Sequence, residues 1–199
     1  MIKNVVFDFG NVLVSFDPVY MTRQYISDEA DVSLVADVLF DRLYWDRLDA
    51  GTVTDGEVVR SACERLPERL HGSVEKIYYN WIYNIPEIGG MREIVSKVRE
   101  AGKGVFLLSN ICEYFADHAH EIDIIKGFDR CIFSARAGHI KPHADMFEYL
   151  CATCHIAAEE TLFIDDNAAN IEGARSFGLC AYLFDGDVES LGRYLDEIL

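Results

Sequence analysis

Five short and almost unbroken apolar runs punctuate the chain, at residues 2–9, 104–109, 131–134, 161–165 and 180–184. Continuous hydrophobicity, rather than strict alternation, is what parallel strands covered on both faces require. Between the runs, apolar positions recur at helical spacing. Residues 91–101 stop at Gly102, a plausible C′ glycine, and residues 167–177 stop at Gly178. Residues 142–154 open on Pro142, a residue suited to a first helical turn. Strand alternating with helix predicts an α/β fold, a doubly wound parallel five-stranded sheet of Rossmann-like type.

Residues 16–87 break this rhythm. They hold no convincing strand. Val32, Val35, Ala36, Leu39 and Leu43 form one helical stripe, and Ile77, Tyr78, Trp81 and Ile82 form another. Thr54-Asp55-Gly56-Glu57 reads as a capping box ahead of Val58-Val59. Tyr78, Tyr79, Trp81 and Tyr83 read as the core of this block rather than as a stacking platform. Residues 85–90 look like the return linker. The expected organisation is therefore a catalytic core of residues 1–15 and 88–199, interrupted after its first strand by a helical cap of residues 16–87. No internal repeat or low-complexity tract is visible.

Composition narrows the field of partners. The 199 residues carry 18 Lys+Arg against 34 Asp+Glu, a formal charge of −16. That balance disfavours duplex nucleic acid and anionic membrane, which both reward positive charge. Small phosphorylated molecules remain open, since they need only a local cation or a metal. Half the residues are hydrophobic, ample for one real core. No apolar run approaches the ~18 residues of a membrane span, and the first residues do not read as a signal peptide. A cytoplasmic monomer with six reduced thiols is the expectation. Cys151-Ala152-Thr153-Cys154-His155 matches a haem-attachment pattern, but it continues an apolar helical face and reads as a core helix. His118 and His120 diverge around a helix and make no metal pair.

Four polar clusters stand at carboxyl ends of strands: Asp8-Phe9-Gly10-Asn11, Ser109-Asn110, Lys141-Pro142 and Asp165-Asp166. Ligands of open α/β sheets bind at that edge, where strand order reverses. Asp8, Asp165 and Asp166 would repel one another if packed together, and Mg²⁺ would relieve the repulsion through oxygen ligands. A serine hydroxyl, an asparagine and a lysine complete a set of groups suited to holding a phosphoryl group during transfer. Each cluster alone has a plainer reading, as a turn, a cap or a solvated lysine. Their convergence favours function.

In these residues the chain resembles the haloacid dehalogenase superfamily, in its capped phosphatase branch. Val5-Val6-Phe7-Asp8 through Val12-Leu13, Val105 to Asn110, Lys141-Pro142 and Leu162 to Asp166 match its four motifs in order. The spacings between Asp8, Ser109, Lys141 and Asp165 are 101, 32 and 24 residues, as a cap after the first motif requires. The resemblance implies Asp8 as nucleophile and metal ligand, with Gly10 offering its carbonyl to Mg²⁺. It implies Asp166 as a direct ligand and Asp165 as a ligand directly or through water. Ser109 and Lys141 would hold phosphoryl oxygens, with Asn110 as a further donor through its backbone or its amide. The implied activity is hydrolysis of a small phosphorylated metabolite, with a sugar phosphate suggested by the Asp-x-Gly-Asn-Val wording.

One departure stands out. The family's phosphatases usually carry an acid–base aspartate two residues after the nucleophile, and here that position is Gly10. The enzyme could be slower, its substrate could have a good leaving group, or a cap residue could supply the proton. Asp17 is one candidate, with a helix cap as its plainer role. Trp45-Asp46-Arg47 and Asp49-Ala50-Gly51 read as a stretch between cap helices, one that faces the substrate in capped relatives; there Arg47 could meet substrate or form a surface ion pair, and His139 and His143 flank Lys141. Two other functions compete. A 2-haloacid dehalogenase would use the same nucleophile without metal, and it replaces the acidic fourth motif with neutral residues. A non-catalytic sugar-phosphate-binding pseudoenzyme would need neither nucleophile nor metal groups.

Overall fold

A computed structural model describes residues 1–199. Five strands, β1 (Asn4–Phe7), β2 (Gly104–Ser109), β3 (Arg130–Phe133), β4 (Thr161–Asp165) and β5 (Cys180–Leu183), form one parallel sheet. Their order is β3-β2-β1-β4-β5. The chain thus moves outward on one side of β1, then returns to the other side with β4. That reversal is the switch point of a doubly wound sheet.

Eleven helices accompany the sheet. The first five, α1 (Pro18–Arg23), α2 (Glu29–Leu39), α3 (Arg42–Asp49), α4 (Asp55–Arg65) and α5 (His71–Tyr78), follow β1 with no strand among them. The remainder, α6 (Met91–Glu100), α7 (Glu113–His118), α8 (Ser134–Ala137), α9 (Ala144–Cys154), α10 (Ala168–Phe177) and α11 (Val188–Ile198), fall between and after the later strands.

Successive strand residues point to opposite faces, and the burial follows this period of two. Val5, Phe7, Val105, Leu107, Leu162 and Ile164 pack with Met91, Ile94, Val98, Leu191 and Leu195 on one face. Val6, Phe106, Leu108 and Phe163 pack with Met146, Phe147, Leu150, Ile171 and Ala174 on the other. Strand β5 departs from the expectation of burial on both faces. It lies at the sheet edge, and Leu183 is 45% exposed.

The inserted helices share the first of these cores rather than building a separate one. Phe16 meets Trp45 and Trp81 at ring-centroid distances of 5.9 and 5.8 Å. Trp81 stacks on Phe115 at 5.8 Å, and Phe115 meets Phe9 at 4.7 Å. The two segments that enter and leave the insertion pair with each other. Ser15 N donates to Pro86 O at 2.8 Å, and Ile88 N donates to Leu13 O at 3.0 Å.

Local signals fared unequally. The Thr54–Glu57 capping box forms as expected. Leu43 does not join the stripe of Val32, Val35, Ala36 and Leu39: helix α2 ends at Leu39, Asp41 caps a new helix, and Leu43 is 68% exposed. Pro142 does not open a helix. Helix α9 starts at Ala144 after the extended His143. The six thiols are all free, but only Cys112 is fully buried and Cys180 is exposed. Cys151 and Cys154 lie on α9, and His155 ends it in the left-handed region at φ 56°. No helix is long and apolar enough to cross a membrane.

What Pro142 does instead is press its carbonyl against α10. A Cβ at Gly173 would sit 2.3 Å from Pro142 O, so only glycine permits the approach. Gly173→Ala is therefore expected to destabilise the fold by about 1–3 kcal/mol, read by urea denaturation. Gly56→Ala, in open space on helix α4, is expected instead to be neutral or stabilising by up to ~1 kcal/mol.

Candidate functional site

The carboxyl ends of β1, β2 and β4 meet at the switch point, and the segment between α8 and α9 closes over them. Asp8 follows β1 directly, Ser109 is the last residue of β2, and Asp165 is the last of β4. Asp8, Asp165 and Asp166 each offer an oxygen within 4.8 Å of the others. Among them lies Lys141, whose Nζ is 2.8 Å from Asp8 Oδ1 and 2.7 Å from Asp165 Oδ2. Its side chain is 1% exposed.

The polar groups around this cluster divide into occupied and free ones. Asp165 is fully occupied. Its Oδ1 accepts from Asn167 N at 2.8 Å, Asn170 Nδ2 reaches both oxygens, and Oδ2 takes the lysine. Asn110 is also occupied. Its Nδ2 donates to Lys141 O at 3.0 Å and its Oδ1 accepts from Lys141 N at 2.9 Å. The amide of Asn110 therefore clamps the lysine backbone and does not face a ligand, which leaves only its backbone N–H for that purpose. Asp8 Oδ1 accepts from Phe9 N at 2.7 Å. Asn11, at φ 55°, turns the chain after Gly10, and its Nδ2 donates to Asp166 Oδ2 at 3.2 Å. Asparagine tolerates that left-handed backbone better than most residues.

Burial dominates the electrostatics. It pushes the Asp8 carboxyl up to about 7, against the pull of Lys141 and with help from Asp165. Burial also disfavours the Lys141 ammonium, yet the charges of Asp8 and Asp165 outweigh it and hold the group above its ordinary value. Desolvation raises Asp166 as well, while the hydrogen bond from Asn11 lowers it. Three carboxylates thus share one ammonium, and the cluster is short of positive charge.

A cavity of about 370 Å³ opens over the cluster, a volume suited to a small metabolite. Asp8, Gly10, Ser109, Asn110, Lys141 and Asp166 form its floor, and Phe16, Trp45, Asp49 and Trp81 come from the inserted segment. Several sequence candidates lie elsewhere. Asp17 caps α1 by accepting from Tyr20 N at 3.0 Å and does not line the cavity. Arg47 does not line the cavity and forms no ion pair; its guanidinium lies over the Tyr44 ring at 5.8 Å. His139 and His143 stay outside the cavity. Tyr83 is 49% exposed and no part of the buried block, whereas Trp81 is both core and cavity wall. Sequence reasoning missed Asn170 and gave no role to Asp49, although it placed the stretch of residues 49–51 toward the substrate; Asp49 ends helix α3 rather than lying in a loop. The position of Asn170, five residues past Asp165 and on the first turn of α10, was the available signal for the first.

The geometry can be set beside known proteins. A family model described as haloacid dehalogenase-like hydrolase matches residues 2–178. The chain belongs to the haloacid dehalogenase-like hydrolases. A D-ribitol-5-phosphate phosphatase of Bacteroides thetaiotaomicron is 24% identical over 188 residues, 89% of each chain. Among solved structures, an L-2-haloacid dehalogenase superposes with a TM-score of 0.74 at 18% identity, over 98% of this chain and 99% of that one. An enzyme of the same family from B. thetaiotaomicron, in complex with magnesium and inorganic phosphate, gives a TM-score of 0.70 at 18% identity. That match covers 94% of this chain and 96% of the other. This hydrolase thus shares its fold with a dehalogenase and with an enzyme seen in complex with magnesium and phosphate, so the choice between the two chemistries falls to the site.

Within this hydrolase, removing Lys141 would leave two buried carboxylates without their countercharge. Lys141→Ala is expected to cost about 3–5 kcal/mol of stability, measured by denaturant unfolding in chelator. An equal loss on Lys141→Arg would show that bulk rather than charge matters there.

Proposed function

We propose that this hydrolase is a Mg²⁺-dependent phosphatase of a small phosphomonoester, a sugar or polyol phosphate, with Asp8 as nucleophile. The observation that carries the reading is the cluster of three carboxylates against a single lysine. Such a cluster calls for a hard divalent cation, and its donors fit one. Asp8, Asp166 and the Gly10 carbonyl are oxygen donors at the cavity floor, and the Gly10 carbonyl accepts no hydrogen bond within the fold. They would hold Mg²⁺, in keeping with its preference for carboxylate, carbonyl and water oxygens. Asp165, with both oxygens occupied, would act by fixing Lys141 and by adding charge, with any link to the ion running through water. When bound, the ion would neutralise the excess charge and polarise a phosphoryl oxygen.

The chain's own groups supply the rest. Lys141 and Ser109, whose hydroxyl makes no hydrogen bond within the protein, would receive phosphoryl oxygens, together with the free backbone N–H of Asn110. Lys141 also screens Asp8 from an incoming dianion. Asp8 would attack phosphorus in line with the leaving oxygen, forming an aspartyl-phosphate that water then hydrolyses. The inserted helices wall off the leaving group from solvent and so act as the cap, with the division at residues 16–87. The phosphatase relative and the magnesium–phosphate complex of the structural neighbour support this reading. Dehalogenation is disfavoured, because Asp165-Asp166 supplies acidic groups that metal-free ester chemistry does not use.

With Mg²⁺, the protein is expected to release phosphate from 4-nitrophenyl phosphate and from a panel of sugar and polyol phosphates. Asp8→Asn or chelation should reduce that turnover to background. Persistent activity in Asp8→Asn would refute the nucleophile, and chloride release from 2-haloacids in chelator would restore the dehalogenase reading. Mg²⁺ should also raise the melting temperature, by the equivalent of about 2.7 kcal/mol at 100 times its dissociation constant. Asp166→Asn should lose most of that gain in a thermal-shift titration.

A further inference from the structure

The sequence leaves a vacancy at Gly10, where no side chain can move a proton. Space is not the reason, since a Cβ there would meet nothing nearer than Phe16 Cβ at 3.9 Å. Asn11 is engaged with Asp166 and with Phe16 N. The cavity offers a different carboxyl. Asp49, the last residue of α3, lines it from the insertion side. Its Oδ1 is buried and has no hydrogen-bond partner. Only three side-chain polar atoms in the protein share that condition, and a second, Trp81 Nε1, also belongs to the cavity wall. Buried polar atoms without partners are rare and costly, and two at one cavity point to a polar ligand that satisfies them.

Asp49 is also fixed to the catalytic edge of the sheet. Ser134 Oγ donates to Asp49 O at 2.5 Å and accepts from Ile111 N at 2.8 Å. One buried serine therefore ties the end of α3 to the strand-end segment of Ser109-Asn110. Gly51, at φ 68°, lets the chain pass Ala135 O, which would lie 3.1 Å from a Cβ. Around the carboxyl stand Asp46 and Arg42 on α3, Asp8 and Lys141 across the cavity, and the buried Cys112. Asp46 and Arg42 pair with each other at 3.4 Å near the surface. Burial, aided by Asp46 and Asp8, pushes the Asp49 carboxyl well above the usual range and so favours its protonated form.

We propose that Asp49 is the acid–base residue of this hydrolase, supplied by the inserted helices in place of a side chain at Gly10. The proposal rests on the phosphatase reading given above. As Asp8 attacks phosphorus, the bond from phosphorus to the leaving oxygen breaks with its electron pair, and the Asp49 proton passes to that oxygen. The alcohol leaves neutral. Water then attacks the aspartyl-phosphate and gives its proton to the Asp49 carboxylate. The Asp8–phosphorus bond breaks, inorganic phosphate departs, and both residues return to their starting states.

Leaving-group dependence tests this directly, in the intact protein with Mg²⁺. Across a series from 4-nitrophenyl phosphate to simple alkyl and polyol phosphates, the wild type is expected to show a shallow dependence on leaving-group basicity. Asp49→Asn should cleave alkyl esters about 10²–10⁴-fold more slowly. With 4-nitrophenyl phosphate it should give a stoichiometric burst of nitrophenol followed by slow turnover, because the second step lacks its base. A steep dependence in the wild type overturns the proposal without any variant. So does an Asp49→Asn protein that loses both substrate classes by one common factor, or neither. Activity surviving in Asp8→Asn, or no phosphatase activity in the wild type, instead defeats the underlying phosphatase reading.

Discussion

A lysine ammonium buried between two carboxylates from different strands is the interaction on which the rest depends. Lys141 Nζ lies 2.8 Å from Asp8 and 2.7 Å from Asp165, with the Phe163 ring face 5.3 Å away. Burying three charges is expensive, and the cluster survives only because nearly every remaining lone pair and proton is matched. Asn110 clamps the lysine backbone from both sides, while Asn167 and Asn170 complete Asp165. These groups lie at four separate places in the chain. The sheet must close in its observed order for any of them to meet, so the site's electrostatics and the fold's topology are one constraint.

On the proposed reading, the same cluster would set the order in which ligands arrive. With three carboxylates to one ammonium, the empty floor repels a phosphate dianion, and the chain's overall charge of −16 adds to the repulsion. On the proposed reading, Asp8, Gly10 and Asp166 would hold a divalent cation, whose charge would reverse the local sign and make room for the anion. Lys141 alone cannot do so, because its charge is already shared by Asp8 and Asp165. On that reading the lysine would keep Asp8 oriented and accessible, and the cation would make the site attractive to phosphate.

Much of this was legible in the residues. Continuous apolar runs located all five strands, the inner ones because parallel strands there are buried and the last despite the exposure of edge strand β5, and the polar ends located the cavity floor. The weaker readings failed where a tertiary contact decided the outcome. Leu43 kept the helical period, but Asp41 restarted the helix and turned it outward. Pro142 had the chemistry of a first-turn residue, yet its carbonyl is wedged against Gly173. The amide of Asn110 braces Lys141, which leaves the backbone N–H as the donor that the residue can still offer. Asp49 lay in a stretch read as facing the substrate, but nothing in the sequence gave its carboxyl a role. Its importance comes from an unsatisfied oxygen in a cavity, which no linear pattern can announce.

Placing the proton donor on the insertion changes what the insertion is for. A carboxyl beside the nucleophile serves any substrate that reaches the cavity floor, whatever the leaving group. A carboxyl on α3 serves only a leaving group seated between Trp45, Trp81 and the strand ends. Chemistry and selection then depend on the same walls, and a poorly fitting alcohol is penalised twice, in binding and in protonation. Ser134 is the physical link that makes this precise enough to work, since it holds Asp49 O and Ile111 N together across the junction. On this view Gly10 is not a lost function but a function moved to where the substrate's identity is read.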